Sequence, residues 1–321
     1  MYHIRVPAPA ESTPLILDLL AGSSGAINVT VLPGSARFPH ADVVECDLLP
    51  EVANDVIHRL RDLAPGRTGP ISVDRLDTAV IRVDDGSPRP TVSDHEIEPV
   101  WEVVDATIRF NATYTFSFYL LLVSAGVLAA VGLLTNSQIL IVAAMVVGPE
   151  YSAILGAALG LTEHRRRPVR RGLVALGIGF GLAIVVTYLF ATAIHGSGQT
   201  PRDFYLGFRP VTDLISQPNL YSVVVAVVAG IVGVVSILQA KVSALIGVFI
   251  SVTTIPAAAA MGVSAAYGEW GETRGATEQL ALNVVILLVV GVVTLEAQRR
   301  FWRARESKRH RTGPSDHRPA S

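Results

Sequence analysis

Glu150 stands deep inside a long apolar segment, directly after a Gly148-Pro149 pair, in the run Met145-Val146-Val147-Gly148-Pro149-Glu150. A carboxylate is costly to bury in such surroundings, so its default chemistry there is to hold a cation or carry a proton. The proline beside it removes one helical hydrogen bond and clashes with the preceding turn. A helix broken in this way frees carbonyls and amides and places two helix ends, with their partial charges, beside the carboxylate. A second apolar segment carries a similar break, Val252-Thr253-Thr254-Ile255-Pro256-Ala257, and a third supplies the amide of Asn283. Hydroxyls and amides in such segments ordinarily join helices together. The candidate substrate or ion site is therefore Gly148, Pro149, Glu150, Thr253, Thr254, Pro256 and Asn283. The plain alternative for Glu150 is a protonated or internally hydrogen-bonded structural residue.

Other chemistries find little support. The chain has one cysteine, Cys46, and no His-Glu-x-x-His motif, nucleophile elbow or paired aspartates in its apolar segments. No glycine-rich phosphate loop, paired-cysteine motif or histidine cluster stands in the first hundred residues. The expectation is a protein that is not an enzyme, with no catalytic residue, no metal site and no cofactor.

The elements that must position these residues are membrane spans. Of 321 residues, 50% are hydrophobic and 17% charged, where an ordinary soluble domain has roughly 25% charged. Apolar stretches near the ~20 residues needed to cross a bilayer fall at 114–134, 138–161, 172–194, 220–238, 245–267 and 280–295. Arg165, Arg166, Arg167, Arg170 and Arg171 follow the second stretch, Lys241 follows the fourth and a basic tail follows the sixth. By the positive-inside rule these lie on the cytoplasmic side. The expectation is a multi-pass cell-membrane protein of six helices with both termini cytoplasmic, and with a basic disordered tail at 297–321 held to anionic lipid rather than to nucleic acid.

Residues 1–109 carry 9 basic and 17 acidic side chains, net −8, and the remainder 17 and 10, net +7, so two differently built parts share the chain. The alternation of residues 2–6, 26–32, 42–48 and 71–76, with helical spacing at 11–20 and 50–63, predicts an α+β domain over 1–82. The order βαββαβ is the ferredoxin-like split arrangement, with two helices on one sheet face and the other face open for pairing or ligand binding. Residues 83–113 read as a linker and an amphipathic helix carrying Trp101, lying at the membrane interface or packed beneath the cytoplasmic domain.

The spans suggest two related halves. Ala125-Gly126 resembles Ala229-Gly230, Val185-Val186-Thr187 resembles Val292-Val293-Thr294, and Pro149 and Pro256 occupy similar places. With the first half starting inside and the second outside, this predicts a 3+3 inverted repeat, an arrangement whose interrupted helices hold polar solutes near the midplane. Gly156/Gly160 and Gly177/Gly181 form small-xxx-small pairs, expected to serve close helix packing.

The motifs Ala144-Met145-Val146-Val147-Gly148-Pro149-Glu150, Ala229-Gly230-Ile231, Gly247-Val248-Phe249-Ile250-Ser251-Val252-Thr253-Thr254-Ile255-Pro256 and Leu280-Ala281-Leu282-Asn283 resemble domain-of-unknown-function family 389, the uncharacterised hydrophobic domain of prokaryotic membrane proteins. The resemblance covers roughly residues 110–296 and implies a membrane location without a substrate. Many relatives carry methionine and a further glycine-proline where this chain has Glu150-Tyr151-Ser152-Ala153, so a role for Glu150 need not extend to them. Two functions follow. One is a transporter or channel for a small polar solute or cation with Glu150 in its site. The other is a membrane-anchored sensor or scaffold acting through the N-terminal domain. The open sheet face and glycine-rich spans also suggest a homo-oligomer.

Overall fold

The computed structural model describes residues 1–38, 40–63, 70–76, 100–205, 219–239, 247–248 and 253–311. The chain forms two compact units, Met1–Asp105 and Ala106–Ser321.

The first unit is a four-stranded antiparallel sheet with two helices. Its elements run β1 (Tyr2–Ala8), α1 (Thr13–Ala21), β2 (Ala26–Arg37), β3 (His40–Leu48), α2 (Pro50–Leu63) and β4 (Ser72–Arg75), in the sheet order β2-β3-β1-β4. Alternation decides which side of β1 goes inward: Tyr2, Ile4, Val6 and Ala8 are buried. The register sets Ile4 opposite Cys46 and Val6 opposite Val44. Both helices add apolar residues at helical spacing, Ile16 and Leu20 from α1 and Ala53, Val56, Ile57 and Leu60 from α2. On the other side of the sheet, cross-strand partners pair by charge, with His3 Nδ1 2.8 Å from Asp47 and Arg5 Nε 3.4 Å from Glu45. Burial pushes the Cys46 thiol up to about 12, as expected for a small buried apolar residue.

This unit extends past residue 82. Val100 joins its core, and the Trp101 amide donates to Asn54 Oδ1 at 3.2 Å, at the start of α3 (Trp101–Asn111). The beginning of that helix is thus packed on the N-terminal core. The intervening stretch 77–99, which contains most of the predicted linker, lies outside the described residues.

The second unit is helical. Its elements are α4 (Phe116–Leu134), α5 (Gln138–Val147), α6 (Glu150–Thr162), α7 (Arg166–Gly196), α8 (Arg202–Tyr205), α9 (Leu220–Leu238), α10 (Thr254–Ala266) and α11 (Trp270–Arg311). Among the described residues α4, α7, α9 and α11 are each long and apolar enough to cross a membrane, and the pair α5 and α6, bent by 46°, makes a fifth if taken as one span. This is the composition of a multi-pass membrane protein. Of the predicted fifth stretch, 245–267, positions 245–246 and 249–252 lie outside the described residues, and α10 makes up most of what is described.

Local signals fix the helix ends. Ser137 Oγ accepts the Leu140 amide at the start of α5, and Asn219 Oδ1 accepts the Ser222 amide at the start of α9. Among the helix ends where one residue turns to positive φ are Asn136 (51°), His164 (55°) and Gly268 (77°). The next amide then donates back to the last turn: Ser137 to Gly132 O, Arg165 to Gly160 O and Glu269 to Ser264 O, at 2.8–2.9 Å. The resulting turns are short enough to bring consecutive helices side by side.

The boundaries recur. Helices α4 and α9 have 19 residues each, and α6 and α10 have 13 each. Each boundary in the second set lies 104 positions after its counterpart: 116 to 220, 134 to 238, 150 to 254, and 166 to 270 for the starts of α7 and α11. Close packing follows the same offset. A Cβ on Gly126 would sit 3.2 Å from Ala183 of α7, and one on Gly230 would sit 2.8 Å from Val290 of α11. The spacing equates Pro149 with Thr253 and Glu150 with Thr254. Pro149 is the N-cap of α6, whereas Pro256 lies in the first turn of α10, where its missing amide costs little. By that spacing the two prolines do not correspond.

Two further expectations change. The chain from 297 continues as helix in α11 through Arg311, because Gln, Arg, Ala and Glu are good helix formers and Glu296 pairs with Arg300 at 3.0 Å one turn on. Residues 312–321 lie outside the described residues. Of the two small-residue pairs, Gly156 and Gly160 do sit against neighbours, a Cβ on the latter falling 3.0 Å from Val169, whereas Cβ atoms on Gly177 and Gly181 would meet nothing within 4 Å.

Candidate functional site

The two breaks meet. Glu150 opens α6 and Thr254 opens α10, and Thr254 Oγ1 donates to Glu150 Oε1 at 2.8 Å. The two residues are 4% and 0% exposed, so the bond forms away from any bulk phase. Gly148 sits where no side chain fits, since a Cβ there would collide with Ile255 Cδ1 and with Glu150 Oε2. Glycine at 148 is what lets the carboxylate lie back over the break while Ile255 packs on it. Helix α5 ends at Val147, where the Gly148 amide still donates to Ala144 O at 3.2 Å and Gly148 itself is extended.

A second polar chain runs alongside. Asn283 Nδ2 donates to Thr253 Oγ1 at 2.8 Å, and Gln279 Nε2 to Asn283 Oδ1 at 3.3 Å. Asn283 and Gln279 are both 2% exposed and stand one turn apart on α11. Thr253, as N-cap of α10, joins this chain to the break. All seven sequence-predicted residues thus fall around two adjoining helix starts. Direct side-chain bonds link Glu150 to Thr254 and Asn283 to Thr253. Pro149 and Pro256 terminate or start the helices and make no such bond.

Acceptors remain unfilled. Among the described residues, Glu150 Oε2 and Gln279 Oε1 are buried without a hydrogen-bond donor. A buried acceptor left in this state costs about 1–3 kcal/mol, more if charged. A proton on Oε2 or a cation beside it would remove that cost, which is the chemistry this arrangement offers. A multi-carboxylate cage is not what is built, since no group of three or more His, Cys, Asp or Glu suited to a metal occurs among the described residues.

Gln279 escaped the sequence reading, although its i,i+4 spacing to Asn283 was a usable signal. Also missed was Glu163, at the end of α6, whose carboxylate faces three guanidiniums: Arg109 at 3.0 Å, and Arg165 and Arg299 at 3.6 Å each. Arg165 is a near neighbour, but Arg109 and Arg299 lie 54 and 136 positions away in the sequence, beyond any local pattern.

No curated protein and no solved structure matches the chain. Residues 145–289, which contain both breaks, Gln279 and Asn283, match the family model described as Domain of unknown function (DUF389).

Proposed function

We propose that this multi-pass membrane protein is a transporter or channel for a small polar solute or cation, and that its site is the junction of the two helix breaks. The observation that carries this reading is the Glu150–Thr254 bond at 2.8 Å with Glu150 Oε2 left without a donor. Anchorage alone needs no buried carboxylate at a helix break, and burying one is expensive. In this reading Glu150 takes the proton or cation, Thr254 fixes its orientation, and Thr253, Asn283 and Gln279 line the approach with polar groups.

The architecture is read as a six-helix 3+3 inverted repeat. The common 104-residue offset supports it, and so does the meeting of Glu150 and Thr254, since equivalent positions touch each other where they lie near a pseudo-two-fold axis. The sheet order β2-β3-β1-β4 likewise supports a ferredoxin-like N-terminal domain, cytoplasmic with both termini by the distribution of arginines. The test is flux. In proteoliposomes the protein should pass protons, sodium or potassium, and Glu150→Gln should abolish the flux while leaving the melting temperature within a few degrees. Full flux in that variant removes Glu150 from the mechanism, and no flux of any small solute by the unaltered protein moves the function to the N-terminal domain as an anchored sensor.

A further inference from the structure

The turn between α6 and α7 encloses an open cavity of about 570 Å³ whose lining includes His164, Arg165, Arg166 and Arg170 at one end and Leu173 and Val174 at the other. On α7 the lining positions 166, 169, 170, 173 and 174 follow i, i+3, i+4, i+7 and i+8, a single helical face. That face is cationic at the helix start and apolar one to two turns on. Below it, Leu173, Val174, Ile178, Leu182 and Val185 are 42–55% exposed, and Gly177 and Gly181 leave the surface between them open.

Among the described residues, few of the charges on this face meet a carboxylate. Arg165 is 3.6 Å from Glu163, a carboxylate already shared with Arg109 and Arg299. Arg166 and Arg170 have no carboxylate partner among the described residues. As like charges one turn apart they repel each other. An anion lying between them would turn that repulsion into two charge-assisted contacts, and guanidinium groups suit phosphate oxygens in particular.

We propose that this cavity is a binding site for an anionic phospholipid, with the phosphodiester held by Arg166 and Arg170, and by the outer side of Arg165, and an acyl chain lying along Leu173 and Val174 toward Gly177. The volume is in the range of ordinary small-molecule sites. The positive-inside rule accounts for basic residues in this loop but is indifferent to which helical face they occupy; the cavity selects Arg166 and Arg170 and leaves out Arg167 and Arg171. A second copy of the chain is a poorer occupant, because a two-fold contact on this face would bring the same arginines together. The inference does not depend on transport.

The test uses the full chain in detergent micelles, with dioleoyl phosphatidylglycerol, dioleoyl phosphatidylcholine and inorganic phosphate as probes and native mass spectrometry to count bound lipid. Phosphatidylglycerol should bind at least tenfold tighter than phosphatidylcholine, and millimolar inorganic phosphate should not displace it. A basic residue near an anionic lipid surface contributes roughly a factor of five in affinity, so R166Q/R170Q should lose about 25-fold. R167Q/R171Q, equal in charge but off the cavity, should lose less than about threefold. Equal losses in the two double variants would mean a diffuse positive potential and overturn the site. Equal affinity for the two lipids, or displacement by inorganic phosphate, would overturn it as well. The comparison of the three probes on the unaltered chain decides the matter even if R166Q/R170Q fails to fold.

Discussion

Replacing Thr254 by valine removes one hydroxyl and almost nothing else, because the two side chains have the same shape and Thr254 is fully buried. What is lost is the 2.8 Å donation to Glu150 Oε1. With Oε2 already lacking a donor, the carboxyl of the variant has no side-chain partner at all. A hydrogen bond to a charged acceptor contributes ~1.5–3 kcal/mol, and one between neutral groups in a membrane averages about 0.6 kcal/mol. Thr254→Val should cost about 2 kcal/mol, because a buried carboxyl without a side-chain partner remains. A double-mutant cycle isolates the bond: Thr254→Val, Glu150→Leu and the double variant, each unfolded in mixed micelles by denaturant titration. Glutamine is unsuitable at 150 here, since its carbonyl would still accept. The Thr254 substitution should cost almost nothing once Glu150 is leucine, giving a coupling of roughly 1–2 kcal/mol, well above the ~0.3–0.5 kcal/mol scatter of independent sites. Additive effects within that scatter would refute the claim that the two breaks are joined through this bond.

Gly148→Ala should lose roughly 1–3 kcal/mol, the usual range for overpacking, because its Cβ collides with Ile255 and Glu150; shortening Ile255 to valine should restore part of the loss in the same unfolding assay. Gly262→Ala should be similarly harmful and not rescued by a side-chain change, since its Cβ would lie 2.8 Å from Ile184 O and 2.9 Å from the Tyr188 amide, which are backbone atoms of α7. Cys46, with its thiol raised from 9.0 to about 12, should resist alkylation by iodoacetamide at pH 8 until the first unit unfolds. Because the raised value belongs to the folded state, the stability linked to this thiol is complete below about pH 9 and declines as the pH rises toward 12, which a pH series of melts would register as a falling melting temperature.

The sequence disclosed those features that depend on local pattern. The alternation of β1 and the helical spacing of α2 are patterns of 2 and 3.6 residues, and both elements stand where the periods put them. The break at Gly148-Pro149 was legible because proline acts on the turn that contains it. Juxtaposition was less so. By the 104-residue offset Pro149 corresponds to Thr253 rather than to Pro256, which depends on where α10 begins, and the sequence match of the two prolines pointed three positions beyond it. The helical continuation of α11 to Arg311 was hidden by reading the loss of apolar character as the end of the helix, when only the apolar window ends near Leu295. Gly177 and Gly181 looked like packing residues because their spacing is that of a helix contact; what they face is a property of the neighbouring helices, not of α7. Glu163 shows the same limit, since its three arginines arrive from α3, the α6–α7 turn and α11.

If the junction works as proposed, the Glu150 carboxyl exchanges a proton or a cation with an aqueous phase despite its burial. Infrared difference spectroscopy of the protein in lipid vesicles, recorded on stepping the pH or exchanging sodium and potassium for a bulky organic cation, reads that carboxyl directly. The account predicts a carbonyl or carboxylate band that responds to the step and is missing in Glu150→Gln. Spectra identical in the two proteins would mean that Glu150 is a sealed structural residue, and would contradict the assignment of the junction as the functional site.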